Sequence, residues 1–238
     1  MKKLLLICSC FLSVLLLAQE TDKPYIFPIK PGTVQWAKLT TSDQMDEVCV
    51  IPKKVLDTLS TKALLLTCLN YPRIIDFYST NNLQTAFEFY SIHFNGLREL
   101  LNRTDLSKVL LNYYPQIDIH NYIFYGDNGK LSFVQIAFLE LLLAQEKILK
   151  NFNNTEQTEI LLAAINNLEI RKSKNESIGR QITTGLILSR VLYILYNKSI
   201  ENFNDKKVMN MFNSSGVVLD TSIIDKLLIV AKENSKNL

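Results

Sequence analysis

LSFVQIAFLELLLAQEKILKNF, at residues 131–152, gives the clearest indication of the fold class. It is apolar almost all round, and its main interruptions are Gln135, Glu140 and Gln145. A helix with so little polar face is expected at the centre of a protein, enclosed by other helices. Residues 178–197, IGRQITTGLILSRVLYILYN, predict a second very apolar helix, which contains Arg180 and Arg190.

The regions around these two stretches also predict helices. No proline follows Pro115, so the second half of the chain is expected to hold the longer helices. Asn154 is a predicted N-cap for a helix at 155–172, and Asp220 for a final helix that ends near Asn234. Prolines and capping residues divide the first half into shorter helices. No set of segments alternates polar and apolar residues with period two, and we therefore predict an all-α fold.

Two all-α architectures fit this pattern, a multi-helix bundle and a short HEAT/armadillo-like α-superhelix. The superhelix rests on an approximate repeat, because a predicted helix ends at Tyr71-Pro72 and another ends 43 residues later, at Tyr114-Pro115. This offset lies within the range of about 40–47 residues found in HEAT and armadillo units. Proline ends most helices, however, so the same match is compatible with an irregular bundle.

The first eighteen residues predict export. Lys2 and Lys3 precede an apolar run that ends at Ala18, which is the pattern of a cleaved secretory signal peptide at residues 1–18. The run is too short for a membrane anchor, which needs about 20 residues. Cleavage before Cys10, as in a lipoprotein, would leave too short an apolar core, so no lipid anchor is expected. We expect a periplasmic or secreted protein.

The rest of the chain divides into a leader and a body. Residues 19–35 carry three prolines and predict an extended leader, and residues 36–238 predict a single all-α domain with a sub-boundary near 119–130. The chain contains 26 basic and 23 acidic residues. Without Lys2 and Lys3 the basic excess nearly vanishes, so we expect no nucleic-acid partner. The mature chain is also expected to contain no integral membrane segment.

Three motifs stand together downstream of the signal sequence, CVIP at 49–52, CLNYP at 68–72 and FNGLREL at 94–100. Over residues 36–115 the chain resembles a family of uncharacterised exported all-α bacterial proteins, of the kind found in Bacteroidota. The later half is similar to that family only in its helical character. The resemblance implies an envelope location and carries over no activity and no catalytic residue.

Two pairs of residues are candidates for specific interactions. Cys49 and Cys68 remain after removal of the signal peptide, and a disulfide between them would close about twenty residues and stabilise the fold by roughly 3 kcal/mol. Two buried free thiols are the alternative. Glu140 and Arg190 each lie in an otherwise apolar helix. Because a buried charge needs a partner, we predict that they pair with each other or with nearby polar groups.

Four tyrosines surround a predicted turn at residues 126–129, namely Tyr113, Tyr114, Tyr122 and Tyr125. Tyrosine combines a large apolar ring with a hydroxyl group, so such a cluster predicts a ligand groove, with ordinary core packing as the alternative. No phosphate-binding glycine loop, nucleophile elbow or pair of metal-ligand residues is present, and we predict no cofactor and no metal.

These features favour an exported, non-enzymatic helical protein that binds a protein or peptide partner. The first alternative is an envelope enzyme that uses scattered acidic residues such as Asp118, Asp127 and Glu140. The second alternative is a structural subunit of an envelope assembly, whose apolar helices at 131–152 and 178–197 would pack against a partner.

Overall fold

The computed structural model describes residues 21–120, 122, 130–196 and 206–236. The predicted signal peptide and Tyr125 lie outside the described residues. Within them the regular structure consists of α-helices and short 3-10 helices, together with isolated β-bridge residues, of which Thr21 and Leu59 pair with each other. The predicted all-α, multi-helix fold is therefore confirmed.

The first half contains short helices. They are α1 (Ser42–Val48), α2 (Lys53–Leu56), α3 (Thr61–Leu69), α4 (Leu83–His93), α5 (Asn95–Leu100) and α6 (Leu106–Tyr113), with 3-10 helices at Trp36–Lys38, Ile74–Ser79 and Tyr114–Gln116. Hydroxyl and amide side chains begin several of them. The Ser60 hydroxyl accepts a hydrogen bond from the backbone N–H of Ala63 at the start of α3, and the Asn82 side chain accepts one from that of Thr85 in α4.

The second half contains the longest helices. The longest two are α9 (Asn154–Ser173) and α10 (Ile178–Tyr196), and the others in this half are α7 (Phe133–Leu143), α8 (Glu146–Leu149), α11 (Lys206–Ser215) and α12 (Ser222–Ser235). The N-cap of α9 is Asn153, one residue before the predicted Asn154, and it forms a capping box with Glu156. Thr221 directly precedes α12 but makes no capping hydrogen bond, whereas the predicted cap, Asp220, accepts one from the backbone N–H of Ser222 at 2.9 Å.

The apolar stretch at 131–152 forms two helices rather than one. The chain leaves helical geometry at Gln145, which has ψ of 128° and begins α8. This break leaves backbone carbonyls without a helical partner, and two side chains donate to them. The Gln145 amide donates to Leu141 O at 2.8 Å, and Arg190 donates to Ala144 O at 2.8 Å. The break is stable because buried carbonyls find donors there.

Helix α10 is the centre of the second half, where it contacts α7, α9, α11 and α12. Its close approach to α12 depends on Gly185, since a Cβ atom there would lie 2.5 Å from Cδ1 of Ile224. Helix α7 joins the two halves, because it packs against α10 and also against α3 and α4. Both apolar stretches singled out in the sequence thus lie in the interior.

The packing is that of a bundle rather than a superhelix. In a superhelix each repeat contacts only its neighbours along the chain, whereas here α11 packs against α4 and α7 packs against α3. The two tyrosines of the approximate repeat are both buried but have different surroundings. Tyr71 stacks on Phe94 with ring centroids 4.1 Å apart, and Tyr114 donates a hydrogen bond to Glu140.

The leader, residues 21–35 in the described part, runs along the first half of the bundle. Its backbone is tied down at two places: Thr21 exchanges hydrogen bonds with Thr58 and Ser60, and the N–H of Tyr25 donates to the Thr67 hydroxyl at 2.9 Å. Phe27 is 3% exposed and belongs to the same hydrophobic core as the helices. The leader is therefore a packed part of the fold.

Cys49 and Cys68 are both buried and both free, so the predicted disulfide is absent from the structure. Cys49 ends α1, and Cys68 lies on the enclosed face of α3. Burial, with a smaller contribution from the Asp46 carboxylate, raises the pKa of the Cys49 thiol to about 12, and burial also raises the pKa of the Cys68 thiol. The two thiols act as small apolar groups in the core.

We expect neither Cys49 nor Cys68 to react with a maleimide in the folded protein, because both thiols are buried and strongly protonated. Both should react in guanidinium chloride without any reductant. Peptide mapping by mass spectrometry measures the labelling at each cysteine. A protein that takes up no maleimide at these positions until a reductant is added would contain the bridge and contradict the structure.

Candidate functional site

The described members of the predicted tyrosine cluster do not share one open groove. Tyr114 is completely buried and Tyr113 is partly buried, so neither offers an open binding surface. Tyr122 is partly exposed, but its hydroxyl is held by two charged side chains. Tyr125 lies outside the described residues. Core packing accounts for Tyr114, and the groove that the structure does contain is built from other aromatic residues.

A groove with a volume of about 1050 Å³ lies where four segments meet. One side is the leader at residues 24–31, and another is the connection from the end of α3 to the 3-10 helix at residues 69–78. The remaining sides are the start of α7 at 132–135 and the start of α10 at 177–180. We call this space the groove. Its lining is mostly apolar, and the rings in it are Tyr25, Phe27, Tyr71, Tyr78 and Phe133, with Pro24, Pro31 and Pro72.

The rings of the groove are held by one another. Tyr25 and Phe27 meet edge to face, with centroids 5.1 Å apart, and Tyr78 lies 5.2 Å from Phe133. The Arg180 guanidinium lies over the Phe133 ring at 5.3 Å from its centroid. Such contacts fix the orientation of aromatic side chains and leave their free faces for a ligand.

The groove is cationic. Lys30 and Arg180 line it, and no acidic residue does. Among the described residues neither cation lies within 4 Å of a carboxylate oxygen, whereas Arg73, Arg103 and Arg171 all do. Within the described part of the chain, Lys30 and Arg180 are therefore two positive charges without a carboxylate partner along an apolar surface.

Arg180 is oriented by a chain of polar contacts that leads inward. Its Nη1 donates to the Tyr122 hydroxyl at 2.6 Å, and that hydroxyl donates to Oε1 of Glu176 at 2.8 Å. Burial and the Glu176 carboxylate raise the pKa of Tyr122, which keeps its proton. Glu176 in turn accepts from Nη1 of Arg171 at 3.3 Å.

Arg171 leads to a carboxylate at the centre of the protein. Glu140 on α7 is completely buried, and its Oε2 accepts from Arg171 at 3.3 Å and from the Thr183 hydroxyl at 2.6 Å. Its Oε1 accepts from Thr184 at 2.8 Å and from Tyr114 at 3.2 Å. The carboxylate is therefore fully hydrogen-bonded, as a buried charge must be.

Electrostatics keep the partners of Glu140 in their donor forms. Burial would by itself lower the pKa of Arg171, but the neighbouring Glu140 carboxylate offsets this and holds that pKa above its usual value. Burial, and then the Glu140 charge, raise the pKa of Tyr114 well above its usual value. Arg171 therefore stays charged, and Tyr114 stays a hydrogen-bond donor.

Glu140 and Arg190 do not pair with each other, but both are buried and each pairs with nearby polar groups, which was the other form of the prediction. Arg190 donates to backbone carbonyls, at 2.8 Å to Ala144 and at 2.9 Å to Asn213, and to the Gln84 side chain at 3.0 Å. Burial lowers the pKa of Arg190 to about 10. Arg190 thus binds backbone carbonyls at the C-terminal ends of α7 and α11, where the partial negative charge attracts cations.

The acidic residues of the enzyme alternative are not brought together. Glu140 lies in the core, while Asp118 lies on an exposed segment, where it accepts from the backbone N–H of His120 at 2.9 Å. Asp127 lies outside the described residues. In the described ranges, no three side chains of His, Cys, Asp or Glu are grouped to hold a metal ion.

Comparison with protein-family models, with curated proteins and with solved structures finds no match for this chain. None of the helices in the described ranges combines the length and the hydropathy needed to cross a membrane.

The sequence reasoning missed Arg171, the real partner of Glu140. Its signal was present, because Arg171 follows Leu168 by three residues and so continues the apolar stripe of α9 that includes Ala164. The lysines beside it at the end of the helix made the position look exposed to solvent. The groove was not predicted because its residues come from four segments that are distant in the chain. Within those segments, only the prolines of the leader and Tyr71 had been singled out in the sequence.

Replacing Glu140 by Gln tests the buried network. We expect Glu140→Gln to lower the free energy of unfolding by about 3–5 kcal/mol, because a buried charge on Arg171 loses its principal partner. The matched control is Asp57→Asn, which breaks an exposed ion pair with Lys53 of 2.8 Å and should cost less than about 0.5 kcal/mol. Urea denaturation measures both, and equal losses would contradict the assigned role of Glu140.

Proposed function

We propose that the protein is an exported, non-enzymatic helical binding protein, and that the groove is its ligand site. The observation that carries the proposal is the groove itself, an apolar, aromatic concavity of about 1050 Å³ with two cations at its border and no acid in its lining. Sites that bind organic ligands are typically concave and mostly apolar, with a few placed polar groups. Its partner is a protein or a peptide.

The placement of acidic residues supports binding rather than catalysis. General acid–base catalysis requires a proton-transferring group within hydrogen-bond reach of the bound substrate. Glu140 is enclosed by Tyr114, Arg171, Thr183 and Thr184, and its two oxygens are occupied by these donors. It therefore supports the structure around the groove and does not face a ligand.

The packing of the apolar helices also bears on the assembly alternative. Helices α7 and α10 bury their apolar side chains against other helices of the same chain. The large apolar side chains that remain exposed are scattered over several elements, including Ile92 on α4, Leu162 on α9 and Ile229 on α12. This distribution gives an assembly partner less to bind than the groove gives a ligand.

Export to the periplasm or the exterior is the second part of the proposal. It is supported by the signal-like residues 1–18 and by the resemblance of residues 36–115 to exported bacterial proteins of the Bacteroidota type. The near balance of charge without Lys2 and Lys3 gives no reason for binding to nucleic acid.

Site-specific photo-crosslinking tests the groove as a ligand site. A benzophenone amino acid replaces Ile75, which lines the groove and is 57% exposed, in the full-length chain expressed in an exporting host. We expect irradiation to give a discrete adduct, because a bound partner lies against this side chain.

The matched control places the same photoreactive residue at Ile229, which is 56% exposed on α12 and does not line the groove. This variant should give no such adduct. Gel mobility and mass spectrometry of the purified chain measure both variants. Absence of any adduct from position 75, or the same adduct from both positions, would count against the groove as a ligand site.

A further inference from the structure

We propose that the ligand of the groove is an extended peptide segment with apolar side chains and a carboxylate, and that Arg180 binds this carboxylate. This inference rests on the groove being the ligand site. Three independent features of the groove carry it: leader backbone groups and two cations that have no partner among the described residues, and a lining of aromatic and proline rings.

The leader presents backbone groups that need a partner. At Ile26, which lines the groove and is 74% exposed, neither the N–H nor the C=O has a hydrogen-bond partner among the described residues. The neighbouring Tyr25 N–H, by contrast, is bound by Thr67. Backbone groups without a partner are the usual docking points for an extended peptide, which pairs with them through its own backbone.

Arg180 is prepared to receive a carboxylate. One of its nitrogens, Nη1, is bound by the Tyr122 hydroxyl, while Nε and Nη2 have no acceptor among the described residues. The guanidinium plane is fixed over Phe133 and lies 5.6 Å from the centroid of Tyr122. A guanidinium whose orientation is already fixed loses little entropy on binding and offers two parallel N–H groups to a carboxylate.

Lys30 adds a second positive charge from the leader side of the groove. It is exposed and has no carboxylate partner in the described part of the chain. An exposed ammonium group contributes less to affinity than a positioned guanidinium, but it attracts an anionic ligand and disfavours a cationic one.

The rings of the groove determine which side chains of the ligand can lie beside its carboxylate. Tyr25, Tyr78 and Phe133, which are partly exposed, offer flat apolar faces together with the prolines of the groove, and such faces suit apolar side chains. A fatty acid also has an apolar body and a carboxylate. It has no peptide backbone, however, and would leave the exposed N–H and C=O of Ile26 unpaired, so the structure favours a peptide.

Affinity selection from a defined peptide pool tests the inference. The probe is an equimolar pool of random N-acetylated hexapeptides, prepared once with free C-terminal carboxylates and once as C-terminal amides, and presented to the full chain. Mass spectrometry identifies the retained peptides. We expect enrichment of peptides with apolar side chains that carry a side-chain or C-terminal carboxylate. No enrichment, or enrichment of peptides without any carboxylate, would overturn the inference.

The dissociation constant of the most strongly enriched peptide is then measured for three variants, which shows which cation binds the carboxylate. Arg180→Gln should weaken its binding by about 10- to 100-fold, since it removes a charge-assisted hydrogen bond. Lys30→Gln should weaken it by about 2- to 5-fold. Lys54→Gln, which removes an equally exposed charge outside the groove, should leave the dissociation constant unchanged. Equal affinity of the wild type and Arg180→Gln would overturn the role of Arg180.

Circular dichroism measures whether each variant is folded. If Arg180→Gln is not folded, the difference in affinity between Lys30→Gln and Lys54→Gln tests the inference instead.

Oleate, measured both as a competitor and as a ligand, distinguishes a peptide carboxylate from that of a fatty acid. Binding of oleate without binding of any peptide would overturn the inference. A discrete adduct from position 75 together with no retained peptide would leave the proposed function standing, whereas absence of that adduct is the failure of the proposed function itself.

Discussion

One buried carboxylate constrains the arrangement of the central helices. Glu140 is completely inaccessible, and an isolated charge in such a place would cost many kcal/mol. It is stabilised only because α9 brings Arg171, α10 brings two threonines and the segment after α6 brings Tyr114 to within hydrogen-bond distance. Apolar packing alone would tolerate sliding or rotation of these helices, but the hydrogen bonds of Glu140 fix one register.

The same network reaches the surface at the groove. Arg171 binds both Glu140 and Glu176, and Glu176 holds the Tyr122 hydroxyl, which in turn orients Arg180. The cation that faces the groove is therefore attached to the interior through fixed hydrogen bonds. A binding site gains precision when its first polar contact is held by such a supporting set of residues. This arrangement connects the stability of the core to the geometry of the groove.

The sequence was informative where a local pattern determines the structure. The apolar stretches at 131–152 and 178–197 predicted central helices, and both lie in the interior, although Gln145 breaks the first. Which side chains pair across long distances in the chain was harder to predict. Glu140 and Arg190 were each predicted to be buried with polar partners, but partner choice depends on helix rotation, and Arg171 occupies the position facing Glu140. The groove was not predictable because leader, loop and two helix starts meet there only in the folded chain.

A double-mutant cycle across the buried pair measures whether Glu140 and Arg171 depend on each other. Equilibrium unfolding in urea is measured for the wild type, Glu140→Gln, Arg171→Met and the double variant. If the two side chains depend on each other, the double variant loses less stability than the two single losses combined, with a coupling free energy of about 1–3 kcal/mol. Single losses that add to within about 0.5 kcal/mol would show that Glu140 and Arg171 are independent, and would contradict the account.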